Sequence, residues 1–176
     1  VYKSVKKKVL SIFGDEFFPK VGVGWSSRKR QESVDLLVEF FKQTQPDLVY
    51  IMPTEGTCSF VGVLCSILEI PYIMVSPYPN FYNNAKLVDK LCIRQAMEKA
   101  KSFVLMESEV PATRKDGENL YEDSVEFLCR VSDAIVFFYS KDTTKSYRSF
   151  MEKTCSAVPH MNLWELVYDG GQMVSE

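Results

Sequence analysis

Leu48-Val49-Tyr50-Ile51-Met52-Pro53-Thr54-Glu55-Gly56-Thr57-Cys58-Ser59 carries the sharpest change of pattern in this chain. An apolar run stops at Pro53, a polar turn with one glycine follows, and apolar residues then recur at helical spacing (Phe60, Val61, Leu64, Cys65, Ile67, Leu68). The pattern predicts a buried strand, a tight turn and a helix. A helix N-terminus has unsatisfied N–H groups and partial positive charge. With the hydroxyls of Thr54, Thr57 and Ser59 around it, the turn suits a phosphate or another anion.

The same grammar recurs on both sides. Residues 9–14 read as a strand, and Ser26 or Ser27 caps a helix that carries Val34, Leu37, Val38, Phe40 and Phe41 and ends before Pro46. Strands follow over 47–52 and 71–76, separated by a helix over 57–69. A helix over 85–100 has Leu87, Val88, Leu91, Cys92 and Met97 on one side. Next come a strand over 102–106, a polar loop over 107–118, a helix over 120–131 and a strand over 134–139. A polar turn over 140–146, a helix near 147–154 and a last short strand within 161–168 complete the series. The strands are short and continuously apolar, with helices between them. Both facts predict a single domain over 1–176: a doubly wound, mostly parallel sheet of five or six strands with helices on both faces, the Rossmann-like α/β class.

The 176 residues are 46% hydrophobic and 25% charged, an ordinary balance for one domain with a full core. A net charge of −2 argues against a nucleic-acid partner and against attraction to anionic lipid. No apolar run approaches the ~20 residues that span a bilayer. Five dispersed cysteines without a CxxC, and one histidine, predict reduced core thiols, no metal site and a cytoplasmic location. The aromatic content of 13% predicts association, as a homodimer.

In sheets of this kind ligands bind beyond the carboxyl ends of the strands. That rule selects Gly14, Thr54, Glu55, Gly56, Thr57 and Ser59, then Tyr78, Asn80 and Tyr82 after the third strand, Arg114 after the fourth, and Asp142, Thr143 and Thr144 after the fifth. The hydroxyls and glycines suit phosphate or ribose. Tyr78 and Tyr82 could stack on a base while Asn80 reads its edge. Glu55, with Asp142 as a second carboxylate, is the candidate for acid–base work. There is no GxGxxG, no GxxxxGK[ST] and no GxSxG, and the single His160 argues against a histidine triad. Asp133 precedes a strand, which places it at the amino end in a structural role.

The segments 55–60 (Glu-Gly-Thr-Cys-Ser-Phe), 69–77 (Glu-Ile-Pro-Tyr-Ile-Met-Val-Ser-Pro) and 128–139 (Leu-Cys-Arg-Val-Ser-Asp-Ala-Ile-Val-Phe-Phe-Tyr), in this order, resemble the SLOG superfamily of Rossmann-like domains. The likeness is to its YpsA-like and DprA-like branches and covers roughly 9–156. The strand preceded by Ser-Asp-Ala is shared with nucleoside 2-deoxyribosyltransferase-like proteins. The resemblance implies a nucleotide or nucleotide-derived, ADP-ribose-like ligand, with phosphates over the 53–59 turn and the turn after the fifth strand. The superfamily's cytokinin-activating enzymes carry PGGxGTxxE, whereas 141–146 here is Lys-Asp-Thr-Thr-Lys-Ser, without the glycine pair or the glutamate. Three functions follow: a nucleotide-ligand sensor or sequestering protein without a cofactor, an N-glycosidase or deoxyribosyltransferase-like enzyme using Glu55, and an interaction scaffold.

Overall fold

A computed structural model describes residues 8–14, 27–139 and 145–163, with the backbone alone at 27–30, 32–33 and 57. In chain order the elements are β1 (Val9–Gly14), α1 (Ser27–Thr44), β2 (Leu48–Ile51), α2 (Thr57–Ile67), β3 (Tyr72–Ser76), α3 (Leu87–Lys99), β4 (Ser102–Leu105), α4 (Arg114–Val131), β5 (Ala134–Phe138), α5 (Lys145–Thr154) and β6 (His160–Asn162). The strands form one six-stranded sheet in the order β4-β3-β2-β1-β5-β6, and all five pairings are parallel. This is the doubly wound Rossmann-like α/β fold. Strand order reverses between β1 and β5, where Leu10 pairs with Ala134 and Gly14 with Phe138.

The continuous apolar strands are explained by two cores. Alternate residues of one strand face opposite sides of a sheet. Leu10 and Ile12, Val49 and Ile51, Tyr72 and Met74, and Val136 and Phe138 pack with Leu37 and Phe41 of α1, Val61 and Cys65 of α2, and Ile93 and Ala96 of α3. Phe13, Met52, Val75, Ile135 and Phe137 pack on the other side with Val125, Leu128 and Cys129 of α4 and Met151 of α5. The inner strands β1, β2, β3 and β5 are thus covered on both faces and show no polar alternation, whereas the edge strands β4 and β6 stay partly exposed. Burial pushes the Cys65 thiol up to about 12, so this core sulfur stays protonated at neutral pH.

Two acidic residues fix where β1 begins. The backbone N–H of Lys8 donates to Asp47 Oδ2 at 2.6 Å, and that of Val9 to Asp133 Oδ2 at 3.0 Å. Asp133 is thus the structural amino-end residue that its position before a strand predicts. The last strand is three residues, His160–Asn162; positions 164–168 of the expected segment lie outside the described residues.

Two expectations are corrected. The side of α3 bearing Leu87, Val88 and Leu91 is the exposed one, at 70%, 50% and 55% exposure. The helix buries Asp89, Ile93 and Ala96 instead, one stripe at helical spacing. Its packing on α2 decides this. Gly62 of α2 leaves a notch into which the Ala96 methyl fits, and the Tyr72 hydroxyl donates to the Ala96 carbonyl. The polar loop over 107–118 is also shorter than expected, because α4 starts at Arg114. Thr113 caps it, its Oγ1 accepting the Asp116 N–H at 3.1 Å. Gly117, which reads as a loop residue, lies inside the first turns, facing Pro111 and the Tyr78 hydroxyl, where a Cβ would make ordinary contacts at 3.4 and 3.5 Å.

Candidate functional site

The carboxyl ends of β2, β3 and β4 open onto a cleft of about 1220 Å³. Each wall comes from one chain segment. Pro53, Thr54 and Glu55 follow β2; Tyr78, Phe81, Tyr82 and Asn84 follow β3; Pro111 to Arg114, with Gly117, Glu118, Tyr121 and Glu122, belong to the approach and first half of α4. Ser146, Tyr147 and Phe150 of α5 close the far side.

The aromatic wall is built from local chemistry. The two prolines of 77–79 have no N–H to donate, so the β3–β4 ladder ends once the Pro77 carbonyl has accepted the Glu107 N–H at 3.1 Å. Asn80 then adopts a left-handed φ of 63°, which asparagine tolerates better than most residues, and its carbonyl accepts the Asn83 N–H at 3.0 Å. This turn sets Tyr78 edge-on to Phe81, with ring centres 5.3 Å apart, and lays Phe81 on Tyr121 at 6.1 Å. The Tyr121 and Tyr147 hydroxyls meet at 2.8 Å, joining α4 to α5 across the cleft floor.

The turn after β2 has different chemistry from the one its sequence suggests. Gly56 sits at φ 83°, ψ −138°, a conformation that disfavours any side chain, and no side chain of its own caps α2. The anion at this helix end comes from within the protein. Asp89, 7% exposed on α3, receives the Gly56 N–H on Oδ2 at 3.4 Å and the Ser59 hydroxyl on Oδ1 at 3.1 Å. That hydroxyl proton is shared with the Gly56 carbonyl at 2.6 Å. A carboxylate 30 residues away in sequence from Ser59 thus satisfies donors that otherwise suit a phosphate.

Of the residues selected from sequence, Thr54, Glu55, Tyr78, Tyr82 and Arg114 share the cleft. Gly56 and Ser59 turn inward to Asp89, and Thr57 is described by its backbone only. Asn80 shapes the aromatic turn without lining the cleft, and Gly14 is buried at the end of β1 beside Phe138. Asp142, Thr143 and Thr144 lie outside the described residues. Sequence reasoning missed Asp89, Phe81, Tyr121 and Tyr147. An acidic residue in the first turn of a helix reads as a dipole partner, and nothing in the sequence shows that this one reaches another helix.

The described lining carries three carboxylates, Glu55, Glu118 and Glu122, against the Arg114 guanidinium. Arg114 Nε is 3.3 Å from Glu118 Oε1, and its side chain is 95% exposed, so the cation stands at the rim and is already paired. The arrangement can stack a planar ring on tyrosine and phenylalanine and accept hydrogen bonds from hydroxyl or amino groups through carboxylates. Among the described residues no helix is long and apolar enough to cross a membrane, and no three His, Cys, Asp or Glu side chains are placed to hold a metal ion. Neither a family model nor a curated protein sequence matches the chain.

Proposed function

We propose that the cleft binds a nucleotide or a nucleotide-derived, ADP-ribose-like ligand, and that the protein acts as its sensor or sequestering partner. The observation that carries this reading is the convergence of Thr54, Glu55, Tyr78, Tyr82 and Arg114, from three successive strand ends, on one cleft of about 1220 Å³ at the carboxyl edge of a parallel sheet. The base packs on the Tyr78–Phe81–Tyr121 wall, and the ribose hydroxyls donate to Glu55. The phosphates lie away from the α2 terminus, because Asp89 already holds its donors and the lining nearby is acidic. On the opposite side of the cleft, Ser146 at the start of α5 offers the phosphates a hydroxyl.

Thermal-shift measurements with nucleotides, cyclic nucleotides, NAD and ADP-ribose, each mixture followed by mass spectrometry, test the reading. At least one compound raises Tm saturably and stays intact, since a ligand at 100 times its Kd stabilises by about 2.7 kcal/mol. A panel that leaves Tm unchanged overturns it.

Glu55 lines the cleft half-buried, which favours a second reading in which it serves as acid–base group or nucleophile at an N-glycosidic bond. Free base or ribose phosphate then appears in those mixtures, and Glu55→Gln lowers turnover by roughly 10²–10⁴-fold. Full turnover in that variant rules the enzyme out. A homodimer belongs to the same proposal and is supported by the exposed apolar side of α3 (Leu87, Val88, Leu91). Light scattering that returns the monomer mass at high concentration removes it.

A further inference from the structure

We propose that Cys129 and Cys155 are a dithiol–disulfide pair, the site at which this protein is oxidised. Their sulfurs lie 2.6 Å apart, about half an ångström beyond the ~2.05 Å of a covalent S–S bond. Cys129 is in the last turns of α4 and 6% exposed; Cys155 directly follows α5, is fully buried, and is held by its N–H on the Met151 carbonyl at 3.0 Å. The other cysteines sit in different surroundings. Cys58 directs its thiol to the Ile12 carbonyl at 3.5 Å, and Cys65 is buried against α3 and β3.

The register of the two helices makes the pairing specific. Tyr121 meets Tyr147 and Cys129 meets Cys155, and each pair is 26 residues apart in sequence. The two contacts are therefore two rungs of one parallel packing of α4 against α5 and the residue that follows it, eight residues apart on each side. A bond at the cysteine rung closes without moving the tyrosine rung.

The oxidant is a peroxide. The two sulfurs share one hydrogen bond, which holds the Cys129 thiol pKa below its ordinary value; Cys129 is also the more exposed of the two, at 6% against 0%, and so is the sulfur that meets the oxidant. It attacks one peroxide oxygen, the O–O bond breaks, and the departing hydroxide leaves as water with a proton from solvent. The Cys155 sulfur then attacks the Cys129 sulfenic acid. The S–O bond breaks, the S–S bond forms, and the hydroxide departs as a second water with the Cys155 proton. Two thiols lose two electrons, and one peroxide becomes two waters.

The test treats the folded, reduced full chain with hydrogen peroxide. The expected product is lighter by about 2 Da, and a dithiol reductant restores its mass. It titrates three thiols in denaturant in place of the five of the reduced chain. Its non-reducing peptide map joins the Cys129 and Cys155 peptides. Tm rises by roughly 5–15 °C, as a cross-link over a loop of this length stabilises a domain of this size. Cys155→Ser abolishes the 2 Da loss. If the serine variants do not fold, the wild-type peptide map alone decides. Five thiols surviving while the protein remains folded, oxygen adducts on separate cysteines, or a bridge to Cys58, Cys65 or Cys92 overturns the proposal.

Discussion

Gly62→Ala destabilises the protein by about 1–3 kcal/mol, although alanine in an exposed helix interior is worth close to 1 kcal/mol over glycine. A Cβ at Gly62 stands 2.6 Å from the Ala96 Cβ, 3.4 Å from Tyr72 Cε2 and 3.8 Å from Ile51 Cδ1. The nearest neighbour is a methyl group with no torsion through which to retreat, so the two helices must separate. Separation strains the bond from the Tyr72 hydroxyl to the Ala96 carbonyl and loosens the packing of α2 on β2 and β3. Gly62→Leu costs more than 3 kcal/mol by the same route. Urea unfolding gives the answer directly: the midpoint falls with an unchanged slope. Ala96→Gly in the Gly62→Ala background returns part of the loss, which identifies the pair as the cause. A Gly62→Ala protein that is more stable than the parent would show that the helices part without strain.

Asp89→Ala is the second large effect, at about 2–4 kcal/mol. The substitution leaves the Gly56 N–H without its acceptor beside a 7% exposed site and removes one of the two acceptors that hold the Ser59 hydroxyl. A buried donor stripped of its partner costs ~1–3 kcal/mol, and more when the lost acceptor is charged. Asp89→Asn keeps an acceptor oxygen of the same shape, so it loses less than half as much. Equal losses in Asn and Ala, measured by the same urea titration, would mean that the negative charge rather than the hydrogen-bond geometry holds the 53–59 turn. If Asp89→Ala matches wild type, water satisfies these groups and the turn needs no internal anion.

The sheet was legible in the sequence for a definite reason. β1 has the bounds that the apolar run Val9–Gly14 sets, because a strand packed on both faces needs no polar position and ends where the run ends. The rule that ligands lie beyond the carboxyl ends gathered Thr54, Glu55, Tyr78, Tyr82 and Arg114 into one region, since each lies in the loop after a strand or begins the next helix. The rest is set by long-range partners. The apolar side of α3 is obvious in the sequence, yet the buried side is decided by the notch at Gly62. Gly117 looks like a turn, yet the Thr113 cap starts α4 ahead of it. Asp89 reaches its role only when α3 docks on α2, and the two sulfurs of Cys129 and Cys155 meet only when α4 and α5 align.

The position of β1 has a consequence for how the chain is made. It lies between β2, which is synthesised soon after it, and β5, whose first residue Ala134 pairs with Leu10 across most of the chain. Translation proceeds at ~5–20 residues per second, and elements assemble from the N-terminus as they emerge. The half-sheet β4-β3-β2-β1 can therefore form while the other edge of β1 still has its N–H and C=O groups open and Phe13 uncovered, because both wait for β5, α4 and α5. Such an edge is a template for other nascent strands. The centre of the finished sheet is the most vulnerable surface of the unfinished one, and a ribosome that stalls before Ala134 leaves it exposed.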